Sequence, residues 1–229
     1  MLHAVAHNPT GIDPSHDEWN QIADIMEKRK LFPWFDIAYQ GFATGDLDQD
    51  SWSLRMFVNR GFEMIVCQSF AKNMGLYCER VGALHVVSSD AASAAAVLSN
   101  IEVIVRPMYS NPPAHGGKVV AQVLSNADLN NEWRAELLNA MKRVARMRVL
   151  LVEALKAKGT PGDWSHITRQ IGMFSYLGLT KAQSIRMVEE FHVYMLDTGR
   201  INVAGLNEAT VPILADAIHA VVTTEPTKV

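Results

Sequence analysis

Five polar side chains stand where short apolar runs of the chain end. Asn8 follows the first run, Asp36 ends the second, Ser69 and Lys72 follow the third, and Arg80 lies just beyond. In parallel α/β sheets such positions fall at the carboxyl ends of the strands, where ligands bind. A carboxylate, an amine, a guanidinium and a hydroxyl at one sheet edge could hold an anionic, electron-withdrawing cofactor. Taken singly, each residue is also explained as a helix cap, a turn residue or a solvated charge.

Alternating apolar runs and helical patterns predict the elements that position these side chains. The runs that indicate strands cover residues 1–6, 31–36, 63–68 and 83–87. Pro33 would be awkward inside a central strand, so the second strand is predicted to begin at or just after it. The first helix begins after Asp13 or, alternatively, after a capping box formed by Ser15 and Glu18. This alternation predicts an α/β fold with a mostly parallel, doubly wound sheet flanked by helices.

The second half of the chain has a different pattern. Asp90 opens an alanine-rich helix, and residues 109–117 read as a loop because they contain prolines and glycines. A helical pattern from about residue 131 to about residue 158 is long enough to bridge two lobes. We therefore expect a first domain at residues 1–139 and a smaller α+β domain at 140–229. The smaller domain is predicted to contain a strand at 173–177, a helix capped by Thr180, a hairpin of 194–196 with 201–203, and a helix from about Asn207 to Val222.

Composition excludes several classes of partner. The 229 residues include 21 basic and 24 acidic side chains, a net charge of −3, so no basic footprint indicates nucleic acid or an anionic membrane. No apolar run approaches the length of about 18 residues that a membrane span needs, which predicts a soluble protein. Cys67 and Cys78 lack metal-ligand spacing and are too few for a disulfide framework. A reducing compartment and no metal site are the expectation.

Five segments together resemble one family. The segment SFAKNMGLYCERVG at residues 69–82 resembles the pyridoxal-phosphate lysine segment of the class I aspartate aminotransferases, with the lysine three residues after the serine and the arginine eight after the lysine. Further matches, in the order and spacing of the family, are HNPTG at 7–11, FDIAYQGF at 35–42, RPMYSNPP at 106–113 and GRINV at 199–203. The resemblance extends over essentially the whole chain and corresponds to the C-terminal part of a family member, a little more than half.

The resemblance implies a large cofactor-binding domain of fold-type I and a function for each residue at the sheet edge. Lys72 would carry pyridoxal 5′-phosphate covalently, and its released amine would move a proton at the substrate α-carbon. Asp36 would keep the ring nitrogen of the cofactor protonated, because an adjacent opposite charge favours the charged form. The remaining contacts would be hydrogen bonds to the 3′-oxygen from Asn8 and Tyr39, and to the phosphate from Ser69 and Arg80.

Two arginines would select the substrate. Arg200, with Asn8 beside it, resembles the residue that binds the α-carboxylate, and Arg106 resembles the one that reaches across a homodimer to the distal carboxylate. An unpaired buried guanidinium penalises apolar amino acids. The implied reaction is reversible amino-group transfer between L-aspartate and 2-oxoglutarate, giving oxaloacetate and L-glutamate.

Two other functions stay open. One is an aromatic or broader dicarboxylic amino acid aminotransferase, because related enzymes can swing such an arginine aside. The other is a non-catalytic truncated chain that pairs with a full-length subunit and lends it Arg106, Ser110 and Asn111. In the family the preceding segment supplies phosphate donors, a ring-stacking aromatic residue and sheet strands, so we expect the bare chain to bind cofactor weakly and turn over negligibly. The compartment is cytoplasmic or mitochondrial, with the cytoplasm slightly preferred.

Other polar residues have structural explanations. His3 and His7 lie near the predicted site but are equally explained as hydrogen-bonded residues at a strand end. Both cysteines are expected to be buried small hydrophobic residues, and Trp133 to be part of the core. The basic group in the long helix is expected to form a solvated face; it comprises Lys142, Arg143, Arg146 and Arg148.

Overall fold

The computed structural model describes residues 1–224, which group by their contacts into two units. The first unit comprises Met1–Val5 and Asp13–Leu138, and the second comprises Ala6–Ile12 and the chain from Asn139 onward. Each unit has its own sheet and its own helices. The predicted α/β class is confirmed.

The first unit contains a four-stranded sheet in the order β1-β2-β3-β4. The strands are β1 (Leu2–His3), β2 (Trp34–Ile37), β3 (Met64–Ser69) and β4 (Gly82–Val87). Strands β1, β2 and β3 run parallel, whereas β4 is antiparallel to β3, so the sheet is mixed but mostly parallel. The first strand is shorter than predicted, and the chain turns at Ala6, whose φ is 51°. Strand β2 begins directly after Pro33, as predicted.

Six helices flank this sheet or begin in this unit. They are α1 (His16–Lys28), α2 (Leu47–Asp50), α3 (Trp52–Asn59), α4 (Ala91–Tyr109), α5 (Ala114–Ser125) and α6 (Ala127–Ala157). Of the two predicted starts of α1, the capping box is the one found: the Ser15 backbone N–H donates to Glu18 Oε2 at 2.8 Å, and the Glu18 N–H donates to Ser15 Oγ at 3.3 Å. Asp90 caps α4, as predicted.

Helix α5 corrects the prediction of a loop at residues 109–117, because the helix already begins at Ala114. Its glycines were interpreted as helix breakers. A Cβ placed on Gly116 would lie 2.8 Å from Glu79 Cβ and 3.0 Å from Val81 Cβ. Gly116 therefore permits close packing rather than a turn.

Helix α4 is apolar and exposed. Its 19 residues reach a mean hydropathy of 1.2, so by length and composition it could cross a membrane, and none of its residues is buried within this chain. Such a helix is weak evidence for a membrane span. This helix corrects the prediction that no apolar run approaches the length of a membrane span. Glu102 and Arg106 interrupt the apolar run, but the helix as a whole remains apolar.

Aromatic side chains hold β2 against two helices. The Phe35 and Phe57 rings meet edge to face with centroids 5.0 Å apart, and Trp19 of α1 packs against both. Phe35 and Phe57 are fully buried. Such pairs add to the free energy gained by burying the rings. The position of β2, whose carboxyl end carries Asp36, therefore follows from this cluster.

The second unit has a two-stranded antiparallel sheet formed by β5 (Phe174–Tyr176) and β6 (Arg200–Asn202). Its helices are the second part of α6, α7 (His166–Arg169), α8 (Lys181–Glu189) and α9 (Thr210–Thr223). The helix bounds differ little from the prediction, and Thr180 caps α8 in a box with Gln183. Fully buried residues from these helices form the core, among them Leu151, Leu155, Met187 and Ile218.

The predicted hairpin of residues 194–196 with 201–203 is wrong. Strand β6 pairs with β5 instead, with Arg200 opposite Tyr176. A turn remains between the two predicted arms, because the Gly199 N–H donates to the Leu196 carbonyl at 3.0 Å. Tyr194 is 82% exposed, and residues 194–196 form no strand.

Candidate active site

In the first unit, the structure brings Lys72 and Tyr39 together. Lys72 follows β3 by three residues, and Tyr39 follows β2 by two. The Lys72 Nζ lies 5.2 Å from the centroid of the Tyr39 ring, within cation–π range. Tyr39 is 7% exposed, and Lys72 is half-buried. A primary amine is thus held beside a phenol at the carboxyl end of two neighbouring parallel strands.

The loop that carries Lys72 is fixed by the next residue. Asn73 is buried, and its Nδ2 donates to the Gln40 carbonyl at 3.3 Å. Its own carbonyl accepts a 2.7 Å hydrogen bond from the Trp133 Nε1 of α6. Trp133 is therefore more than a core residue, because its indole ties α6 to the lysine loop. Neither contact was predicted, since each joins segments far apart in the chain.

The loop after β2 is organised by a buried carboxylate. Asp50 is 3% exposed, and it accepts hydrogen bonds from the backbone N–H groups of Gly41 at 2.7 Å, Ala43 at 3.1 Å and Thr44 at 3.0 Å. Backbone donors at this distance satisfy a carboxylate that would otherwise be costly to bury. Sequence reasoning missed Asp50. Its effect is to hold the chain directly after Tyr39 in one conformation.

Asp36 occupies the centre of the sheet edge. Its backbone carbonyl accepts a hydrogen bond from the Ala4 N–H at 2.9 Å. On the other side, Asp36 is in register with Cys67 of β3. The residue is half-buried. Its main chain is therefore held by strands on both sides.

Of the residues predicted to bind phosphate or to act across a dimer, Arg80 and Arg106 are exposed and Ser69 is half-buried. The Ser69 Oγ accepts from the Ala71 N–H at 3.2 Å. Arg80 is exposed, with φ at 50°, and donates to the Tyr77 carbonyl at 3.3 Å. Among the described residues, no hydrogen bond joins Ser69 to Arg80. Arg106 lies exposed in the last turn of α4.

In the second unit, Asn8 and Arg200 form a pair. The Arg200 Nη1 donates to Asn8 Oδ1 at 2.8 Å, and its Cζ lies 4.6 Å from the centroid of the Phe174 ring. Both residues of the pair are half-buried. The ring and the amide orient the guanidinium from two directions. A planar guanidinium held in this way suits bidentate binding of a carboxylate.

Two predictions about polar residues are corrected. Cys78 is exposed rather than buried, whereas Cys67 is half-buried and its Sγ accepts from the Trp34 indole at 3.3 Å. The basic group of α6 is not wholly solvated, because Arg148 is 3% exposed. One member of this basic group, Arg148, therefore points inward.

Comparisons with known proteins agree with the resemblance. The sequence profile of the family "Aminotransferase class I and II" matches residues 1–218. The chain is 54% identical to a rice protein named "Aspartate aminotransferase, cytoplasmic" and 55% identical to an Arabidopsis thaliana protein named "Aspartate aminotransferase 3, chloroplastic". Each match covers 97% of this chain but 55% and 50% of the relative, respectively. The chain therefore spans about half the length of these relatives.

Solved structures show the same fold. Aspartate aminotransferase from Trypanosoma cruzi matches with a TM-score of 0.92 at 50% identity, over 96% of this chain and 56% of that structure. An aromatic-amino-acid aminotransferase from Burkholderia pseudomallei, covalently bound to pyridoxal phosphate, matches with a TM-score of 0.95 at 45% identity, over 97% and 55%. The fold-type I assignment is confirmed. The chain belongs to the class I and II aminotransferase family, and corresponds to about half of a member.

Proposed function

We propose that this chain serves aspartate aminotransfer, the reversible exchange of an amino group between L-aspartate and 2-oxoglutarate that gives oxaloacetate and L-glutamate. The observation that carries the proposal is the half-buried Lys72 amine beside Tyr39, at the position that the family motif assigns to the cofactor lysine. The Arg200–Asn8 pair of the second unit supports it, because it suits a carboxylate. The identity of more than half to named aspartate aminotransferases supports the choice of substrate.

The cofactor proposed for Lys72 is pyridoxal 5′-phosphate. When bound, it supplies an electron-withdrawing ring that stabilises negative charge at the substrate α-carbon. The donor set fits, because a primary amine, a phenol and a carboxylate stand at the ends of adjacent strands. We assign Lys72 to covalent attachment and proton transfer, Asp36 to the ring nitrogen, and Asn8 and Tyr39 to the 3′-oxygen. Ser69 and Arg80 are assigned to the phosphate, and Arg80 needs to exchange its contact with the Tyr77 carbonyl for that role.

The lysine has to be deprotonated to act. A free lysine has a pKa of about 10.4 and is a poor nucleophile at neutral pH. In the structure the Lys72 Nζ lies 5.2 Å from the centroid of the Tyr39 ring.

Arg106 is proposed to bind the distal carboxylate of the substrate in a homodimer. It is exposed on α4, the same helix that exposes Leu98, Val103 and Met108. Exposed apolar side chains on one helix are typical of an interaction surface. The domain division at residues 139 and 140 also remains a proposal. The compartment is open, because the relatives include cytoplasmic and chloroplastic proteins.

A second candidate function is aromatic or broader aminotransfer. The observation behind it is the match to the Burkholderia aromatic-amino-acid aminotransferase, at a TM-score of 0.95 and 45% identity. Relative rates with L-aspartate and L-phenylalanine separate the two. A non-catalytic chain that pairs with a full-length subunit would instead co-purify with that subunit and show no cofactor absorbance of its own.

Borohydride reduction tests the cofactor assignment. The chain is incubated with pyridoxal phosphate, reduced so that the bond between lysine and cofactor becomes irreversible, and mapped by peptide mass spectrometry. We expect the label on Lys72, its loss in Lys72→Arg, and no change in Lys118→Arg, which removes an exposed lysine of α5. Labelling mainly at other lysines would contradict the assignment.

A further inference from the structure

Arg148 is a buried cation held by main-chain oxygens. It lies in α6 and is 3% exposed. Its Nη1 donates to the Ile167 carbonyl at 3.1 Å, and its Nη2 donates to the carbonyls of Gly172 at 2.8 Å and Phe174 at 2.6 Å. Three carbonyls, one in α7, one in the connection after it and one at the start of β5, thus converge on a single guanidinium.

No carboxylate of the described residues forms an ion pair with this guanidinium. Within residues 1–224, Arg148 takes part in no ion pair, whereas its exposed neighbour Arg146 pairs with Glu208 at 2.8 Å. Burial lowers the pKa of Arg148 to about 10, so the group stays charged at neutral pH. A buried cation without a counter-ion is costly, even when its N–H groups are hydrogen-bonded. Packing alone would be served by an apolar side chain.

The segment that Arg148 holds, residues 167–174, packs against the loop of residues 6–12, which carries Asn8. The Ile171 N–H donates to the Gly11 carbonyl at 2.8 Å. A Cβ on Gly172 would lie 2.7 Å from Ala6 Cβ, and a Cβ on Gly11 would lie 2.9 Å from the Phe174 carbonyl oxygen. The two segments therefore have no space between them, and a shift of one moves the other.

Phe174 connects Arg148 to Arg200. Its carbonyl accepts from Arg148 at 2.6 Å, and its ring lies 4.6 Å from the Arg200 Cζ. Arg200 also donates to Asn8. Arg148 thus fixes both groups that orient the Arg200 guanidinium. Arg200, like Arg148, forms no ion pair in the described part of the chain. Arg148 and Arg200 are both positively charged and both contact Phe174, so their charges together favour a bound anion.

We propose that Arg148 is a positioning residue for carboxylate binding: it holds Phe174 and the Asn8 loop in the arrangement that orients Arg200, and it adds a second positive charge at the Phe174 carbonyl. The inference rests on the proposed role of Arg200 as the carboxylate-binding residue. It deepens that role, because it makes the affinity for a carboxylate depend on a group that does not touch the ligand.

The test is a calorimetric titration of the full chain with maleate, a dicarboxylate that has no amino or keto group and cannot react. Arg148→Gln removes both the positive charge and the planar guanidinium, whereas Arg148→Lys keeps the charge and loses the guanidinium. Arg146→Gln is the matched control on the same helix. We expect Arg148→Gln to weaken maleate binding about tenfold or more, Arg148→Lys to weaken it less, and Arg146→Gln to change it less than about twofold, which corresponds to less than about 0.4 kcal/mol.

Two controls separate positioning from general destabilisation. Val144→Ala removes buried methyl groups from the core of the same helix, so it lowers the unfolding temperature but is expected to leave maleate affinity unchanged. Equal loss of affinity in Val144→Ala and Arg148→Gln would overturn the proposal. Arg200→Gln tests the underlying function: unchanged affinity in that variant would show that Arg200 is not the carboxylate site. Loss in Arg200→Gln with no loss in Arg148→Gln would overturn the positioning role alone.

A measurement on the unmodified chain covers the case in which the Arg148 variants do not fold. The arginine Nε–Hε signals are followed by NMR during a maleate titration and assigned by through-bond correlation to the backbone signals. We expect the Arg148 signal to move together with the Arg200 signal, with the same dissociation constant. A stationary Arg148 signal beside a moving Arg200 signal would overturn the proposal.

Discussion

Replacing Trp133 by Phe tests how the lysine loop is held. The substitution keeps an aromatic ring in place but removes the indole N–H that donates to the Asn73 carbonyl at 2.7 Å. Losing such a bond costs about 0.5–1.5 kcal/mol, and leaving the buried carbonyl without a donor raises the cost to about 1–3 kcal/mol. We expect the free energy of unfolding to fall by about 1–2 kcal/mol, measured by urea denaturation followed by circular dichroism.

The chain offers two matched controls for this experiment. Trp34→Phe removes an indole N–H that donates to the Cys67 Sγ at 3.3 Å, and Trp164→Phe removes one that donates to the Pro161 carbonyl at 3.1 Å. Both of these contacts are more exposed than that of Trp133, so each substitution is expected to cost less than about 0.5 kcal/mol.

A second readout connects Trp133 to the chemistry. Because Trp133 fixes the backbone directly after Lys72, Trp133→Phe is expected to slow borohydride-trapped labelling of Lys72 by pyridoxal phosphate several-fold, whereas Trp34→Phe leaves the rate unchanged. If Trp133→Phe were no more destabilising than Trp34→Phe and labelled Lys72 equally fast, the indole contact would not hold the loop.

Two further predictions concern stability. Hydrogen bonds from the Ser15 backbone and hydroxyl lower the pKa of Glu18 below its usual 4.5. The capping box therefore stabilises the fold above that pH and loses its effect as the pH falls through the lowered value. Glu18→Gln should remove this part of the acid sensitivity in thermal melts, and the same loss of melting temperature at low pH in both proteins would contradict it. Gly116→Ala is expected to destabilise by about 1–3 kcal/mol because the new Cβ would lie 2.8 Å from Glu79 Cβ. Gly117→Ala, where no atom lies within 4 Å, is expected to stabilise by about 0.5–1 kcal/mol; the opposite order of the two in urea melts would contradict this reading of α5.

Local patterns predicted the local elements well. The capping boxes at Ser15 and Thr180 and the start of β2 after Pro33 depend on residues adjacent in sequence, and the structure contains all three. Motif spacing likewise identified the family through the segment around Lys72. These features need no information about distant parts of the chain.

Features set by distant contacts were missed. The pattern of residues 194–196 predicts one arm of a hairpin. A strand needs a partner strand, however, and β6 pairs with β5 instead. Gly116 looked like a helix breaker because its packing against Glu79 is not visible in sequence. The charge pattern places Arg148 with neighbouring basic residues, although the three carbonyls that it binds lie 19 to 26 residues away.

The role of Asp36 is tested most directly by single-turnover amino transfer. The chain, joined to the N-terminal half of a full-length relative and loaded with pyridoxal phosphate, is mixed with L-aspartate, and the oxaloacetate formed is measured with Asp36 and with Asp36→Ala. If the carboxylate holds the cofactor ring in its charged, electron-withdrawing form, the rate should fall by about two orders of magnitude or more in Asp36→Ala. An unchanged rate would show that the ring is not controlled by Asp36.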